Sequence, residues 1–203
     1  MKAIGKFSDE RLDDFCAYCG EHPDTRDHVP SKIILDKPFP ENLPVVPACQ
    51  SCNQSFSLDE EYFGCVLECI INGTTEPSKL KRSKISKILT RKEKLKNRLE
   101  NSKIIENGNT FFQIEEPDIL WFQPIQDMSE YEKVEFYSLT EQTKLPEVGS
   151  RALAVLFLGE TPMSKWVEVQ LNNYQYSVSY YDNMFIVKII IWEYLACQIE
   201  WHE

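Results

Sequence analysis

Residues 16–56 read CAYCGEHPDTRDHVPSKIILDKPFPENLPVVPACQSCNQSF, with the Cys-x-x-Cys pairs Cys16/Cys19 and Cys49/Cys52 near its two ends. A pair at this spacing presents two sulfurs from one tight turn, and two pairs supply the four thiolates of a tetrahedral zinc site. Gly20, directly after the first pair, suits the left-handed backbone that such a turn often needs. Four protein ligands leave no position for water, so the Zn²⁺ expected here is structural. Cysteines scattered through a core are the alternative, and the repeated spacing argues against it. In a segment this rich in loops the metal stands in for a missing core.

Inside this frame stand Asp27-His28, then Asn42-Leu43, then Asn53 directly after Cys52. The stretch resembles the HNH nucleases, the ββα-metal family. Their zinc-bearing members carry two Cys-x-x-Cys pairs around an Asp-His, a mid-loop Asn-Leu, and a His or Asn after the last Cys. The resemblance covers about a fifth of the chain. It implies a metal-dependent endonuclease hydrolysing phosphodiester bonds in DNA, double-stranded by expectation. By the same resemblance His28 is the general base, and Asp27 and Asn53 hold one catalytic Mg²⁺ or Mn²⁺. Asn42 ties down the loop that carries His28. This sequence has Asn where many members have a third His, and Asp59, Glu60 and Glu61 follow where a phosphate-binding Lys would help.

Elementary chemistry asks for the same groups. An imidazole with a pKa near ~6.5 accepts a proton from water at neutral pH. A hard, oxygen-ligated cation neutralises the phosphate and steadies the departing oxygen. Neighbours on a regular strand point to opposite faces, so Asp27 and His28 share a site only at a strand end or bulge. Pro30 is consistent with such an end. Two other readings stay open. Asp27-His28 as a polar turn and Asn53 as a helix cap make a non-catalytic zinc knuckle that binds nucleic acid or protein. A defence or toxin effector working through a partner protein is the other.

The chain has 203 residues, 42% of them hydrophobic and 24 aromatic, enough for a sizeable core in one large domain or two small ones. It has no apolar run beside a basic start, so no signal peptide is expected. Lys188 and Glu193 interrupt the apolar C-terminal stretch, which argues against a membrane span. Seven cysteines, four of them committed to metal, fit a reducing cytoplasm, with Cys65, Cys69 and Cys197 as small buried apolar residues. The net charge is −10, but residues 79–103 hold 11 of the 22 basic side chains and only two acidic ones, leaving 11 basic against 30 acidic elsewhere.

The expected fold class is α+β, in three parts. Residues 1–73 form the zinc-stapled ββα-metal (HNH) module, residues 74–103 a basic amphipathic helix, and residues 104–203 a C-terminal α+β domain with an antiparallel sheet. Residues 1–15 form a short helix or arm. Prolines keep the loop from Ile34 to Cys49 out of helix. Ser57-Leu-Asp-Glu60 reads as a capping box opening a helix to about residue 72. From Lys79 to about Ser102 a stripe of Ile85, Ile88, Leu89, Leu95 and Leu99 faces inward, presenting Lys84, Lys87 and Arg91 to phosphate or to solvent. Arg26 reaches a phosphate or makes a salt bridge. Beyond residue 104 stand all four tryptophans and 17 of the aromatics. Residues 110–115 and 119–123 suggest strands and 146–158 a helix. Residues 165–170, 174–181, 184–191 and 194–201 suggest a meander turning at Asp182-Asn183. This part reads substrate, dimerises or binds a protein partner. Cutting both DNA strands with one site per chain favours a homodimer.

Overall fold

The computed structural model describes residues 14–41, 43–113, 121–124 and 166–202. Strands Thr25–His28 (β1) and Val45–Ala48 (β2) pair antiparallel, with Asp27 opposite Val46 and His28 opposite Val45. Helix Gln50–Asn72 (α1) follows two residues after β2. Next come a 3-10 turn at Pro77–Lys79 and helices Ser83–Arg91 (α2) and Glu93–Asn101 (α3). Lys103–Glu106 (β3) and Asn109–Phe112 (β4) make a separate hairpin. Trp121–Pro124 (β5), Val167–Gln170 (β6), Tyr174–Tyr181 (β7), Met184–Ile191 (β8) and Leu195–His202 (β9) build one antiparallel sheet in the order β5-β9-β8-β7-β6. The protein is therefore α+β, with helices and antiparallel sheets mixed along the chain.

One face of the sheet shows in the sequence as period-2 patterning, and Ser177, Ser179, Ile186, Lys188, Ile190 and Ala196 on the other face are buried as well. Tyr174, Tyr176 and Val178 on β7, Phe185, Val187, Ile189 and Ile191 on β8, and Leu195, Cys197 and Ile199 on β9 occupy alternate positions, and all are buried. Asp182 and Asn183 form the two-residue β7–β8 turn with φ of 51° and 59°, the left-handed backbone that such hairpins require and that Asp and Asn tolerate. The bounds of β7 and β8 are those the alternation indicates. The strand expected at residues 110–115 runs over Asn109–Phe112, that at 119–123 over Trp121–Pro124, and that at 165–170 over Val167–Gln170. The helix expected at 146–158, most of the N-terminal arm, and Asn42 lie outside the described residues.

Two helix boundaries differ from the sequence reading. The Ser57–Glu60 box is interior to α1, which begins at Gln50. Its first donors are satisfied earlier: the Gln50 N–H donates to Asp24 Oδ1 at 2.5 Å and the Cys52 N–H to Cys49 Sγ at 3.4 Å. With those partners in place the helix needs no cap at Ser57. The basic stretch is two helices rather than one. Lys92 leaves helical geometry (φ −108°, ψ 76°) without any Gly or Pro, and its Nζ pairs with Glu61 Oε1 at 2.5 Å. Ile85, Leu89 and Leu99 are buried as the stripe predicts.

The chain divides into two compact units, Met1–Phe56 with Asp118–Glu203, and Ser57–Pro117. These units do not follow the composition-based division at residues 73 and 103. In the first, side chains of the C-terminal sheet bond the loop that follows β1: the buried indole N–H of Trp192 donates to the Ile34 carbonyl at 2.7 Å. In the second, Glu68 is fully buried and accepts from Arg82 Nη1 at 2.8 Å, from the Arg82 backbone N–H at 2.9 Å and from Asn72 Nδ2 at 3.0 Å. Among the described residues, no helix is long and apolar enough to cross a membrane.

Candidate metal centre and the His28 cluster

The first knuckle is a tight turn in which Gly20 N–H donates to the Cys16 carbonyl at 2.9 Å and Cys16 N–H to that of Glu21 at 2.7 Å. Gly20 has a φ of +78°, so the glycine is there for its backbone. The second knuckle is the β2–α1 junction, where Cys49 stands between strand and helix and Cys52 lies in the helix's first turn.

The two knuckles meet. The ligand atoms of Cys16, Cys19, Cys49 and Cys52 lie within 4.8 Å of one another, and Cys19 Sγ and Cys49 Sγ are 3.8 Å apart. A tetrahedron with metal–sulfur bonds of ~2.3 Å has an edge of about 3.8 Å. The four thiols therefore fit a metal such as zinc with little rearrangement. Burial opposes ionisation of Cys16, but N–H groups of Cys49, Tyr18 and Cys19 outweigh it and bring the thiol down to about 7. Burial and the neighbouring thiols push Cys52 up. The thiols thus resist ionising together, and a dication at their centre reverses that. Cys65, Cys69 and Cys197 lie outside this cluster and are buried. Burial pushes Cys65 and Cys69 up to about 12 each, as for inert core thiols.

His28 is the last residue of β1. Both oxygens of Asp27 are held: Tyr18 donates its hydroxyl to Oδ2 at 2.6 Å, and the His28 N–H donates to Oδ1 at 2.8 Å. The Tyr18 ring packs edge-on against Phe56 at 4.9 Å. Partial burial, then repulsion from Lys32, lower the His28 pKa against the opposing pull of Asp27. Both effects favour the neutral imidazole, the form that accepts a proton.

Asn53 sits in the first turn of α1, and its amide nitrogen donates to Thr25 Oγ1 and to the Arg26 carbonyl, each at 3.2 Å. Thr25 in turn donates its hydroxyl to the Ala48 carbonyl at 2.7 Å. Helix start, β1 and β2 are thereby tied together beside Asp27. Arg26 is exposed on β1 opposite Pro47. Lys84, Lys87 and Arg91 are exposed on α2 in the other unit. They fall within about 60° of one another around the helix axis at ~3.6 residues per turn, away from buried Ile85 and Leu89.

The structure adds residues that sequence reasoning passed over. Tyr18 lies hidden inside the first Cys-x-x-Cys, Thr25 opens β1, and Asp24 supplies the first acceptor of α1. Only Asp24 had a legible signal, as a helix-capping residue type, and its partner is 26 residues away. No protein-family model matches the chain, and no curated protein or solved structure does.

Proposed function

We propose that the protein is a metal-dependent endonuclease of the HNH type, hydrolysing phosphodiester bonds in DNA. One observation carries the reading: Asn53 reaches from α1 to the carbonyl of Arg26, the residue preceding Asp27-His28, at the edge of a four-cysteine cluster. The carboxylate of Asp27, the imidazole of His28 and the amide of Asn53 are carried by one short hairpin and one helix turn, which supports this reading. Asp27 and Asn53 offer one carboxylate and one amide oxygen, hard donors of the kind Mg²⁺ and Mn²⁺ take. A bound ion of this kind supplies counter-charge to the phosphate and to the leaving oxygen.

His28 takes a proton from water as the water oxygen forms its bond to phosphorus. The bond from phosphorus to the departing sugar oxygen breaks, and that oxygen is protonated from solvent. Tyr18 fixes the carboxylate of Asp27, so its geometry is set before substrate arrives. The four-cysteine centre holds both ends of the hairpin.

The test is nicking of supercoiled plasmid by the zinc-loaded full chain with Mg²⁺, with Mn²⁺ and with neither. His28→Ala is expected to lower the rate by ~10²–10⁴-fold with zinc content and melting temperature unchanged. Wild-type protein inactive with both ions, or His28→Ala as active as wild type, refutes the proposal. The engagement of Asn53 with Thr25 and Arg26 also suits a non-catalytic zinc knuckle, in which that amide is purely a structural tie. In that case the wild type binds nucleic acid or protein without cutting.

A further inference from the structure

The loop leaving β1 carries two lysines and one aromatic ring in close company. Lys32 Nζ lies 5.7 Å and Lys37 Nζ 6.0 Å from the centroid of Phe39. Each ammonium group is drawn to the ring's electron-rich face. Asp36, the carboxylate between them in sequence, accepts from Asn173 Nδ2 at 3.2 Å.

The backbone bearing these groups is clasped by the C-terminal sheet. Gln170 accepts the Asp36 N–H at 2.8 Å and donates to the carbonyls of Asp36 at 2.8 Å and Pro38 at 3.2 Å. Trp192 bonds the Ile34 carbonyl from the β8–β9 turn, where its own φ is 55°. A bulky residue in left-handed backbone is uncommon and needs surrounding contacts to hold it there. Anchors at Ile34, Asp36 and Pro38 thus fix the segment from which Lys32, Lys37 and Phe39 project, and little order is left to be imposed on binding. Lys32 lies four residues after His28, the end of β1, on the loop that leaves it.

We propose that Lys32 and Lys37, held over Phe39, contact the phosphate backbone of a nucleic-acid strand beside His28. The inference rests on the nuclease reading and supplies the cation that the residues after Asn53 lack. Lysines meet phosphate as point charges, and cations interleaved with an aromatic ring are the usual make-up of a nucleic-acid track. The contact carries no base reading.

The experiment uses the zinc-loaded full chain and a fluorescent DNA duplex, with binding followed by anisotropy across a salt series without added Mg²⁺ or Mn²⁺. Lys32→Gln/Lys37→Gln is expected to weaken binding and to flatten the slope of log K against log salt by about two units, from roughly 0.9 per phosphate. In nicking assays Lys32→Gln should raise KM more than it lowers kcat, and Lys32→Arg should restore KM. If wild type nicks plasmid and the folded double variant keeps its slope and KM, the phosphate contact is refuted while the nuclease reading stands. If the double variant flattens the slope but wild type never nicks, the contact stands and the nuclease reading falls. A wild type that binds no DNA overturns both.

Discussion

Replacing Cys49 with serine tests the four-cysteine centre where it joins most of the site. Cys49 Sγ is 3.8 Å from Cys19 Sγ and accepts the Cys52 N–H, so one atom links first knuckle, second knuckle and helix start. All four ligand atoms already lie within 4.8 Å. Closing on a tetrahedron with edges of about 3.8 Å moves no sulfur far, so little metal-binding energy is lost to rearrangement. Structural Zn²⁺ contributes on the order of 10 kcal/mol, comparable with a whole domain's stability of ~5–15 kcal/mol. Cys49→Ser should therefore lose zinc and unfold at least the region from Cys16 to Phe56. Elemental analysis reads the metal, and limited proteolysis reads the unfolding as new cleavage within those residues. Cys65→Ser, a fully buried cysteine outside the cluster, serves as control and should keep its zinc. A Cys49→Ser protein with one zinc per chain and wild-type protease resistance refutes the reasoning.

Three further outcomes are expected. Asn53→Ala should reduce nicking in a way that raised Mg²⁺ or Mn²⁺ partly restores; a loss that added ion leaves untouched means that Asn53 serves only as the tie to Thr25 and Arg26. Lys84→Gln/Lys87→Gln/Arg91→Gln should flatten the salt dependence of duplex binding by about two to three units if α2 follows the phosphate backbone. An unchanged slope assigns those side chains to solvation alone. Glu68→Ala should destabilise the protein by ~1–3 kcal/mol, the cost of leaving donors without their acceptor, because the half-buried Arg82 guanidinium and the Arg82 backbone N–H both lose the fully buried carboxylate. A shift in urea midpoint worth less than about 1 kcal/mol, the range of an exposed pair, contradicts that account.

Sequence alone identified the features whose cause is local. The Cys-x-x-Cys spacing names four thiols as one set, because each pair is formed by a single turn. The alternation in residues 174–191 bounds two strands, because side chains on a strand change face at every residue, and Asp182-Asn183 marks their turn by its tolerance of positive φ. Pro30, two residues past His28, marks the end of β1 through its own backbone restriction. Tertiary structure alone decided what depends on distant partners. The start of α1 rests on Asp24, 26 residues before its donor, and the break at Lys92 is held by Glu61, 31 residues away. The clasp on the loop after His28 comes from Gln170, Asn173 and Trp192, whose bonds span 132 to 158 residues. Hydropathy and propensity describe a residue with its near neighbours. A hydrogen bond between residues so far apart exists only once the sheet and hairpin have folded against each other.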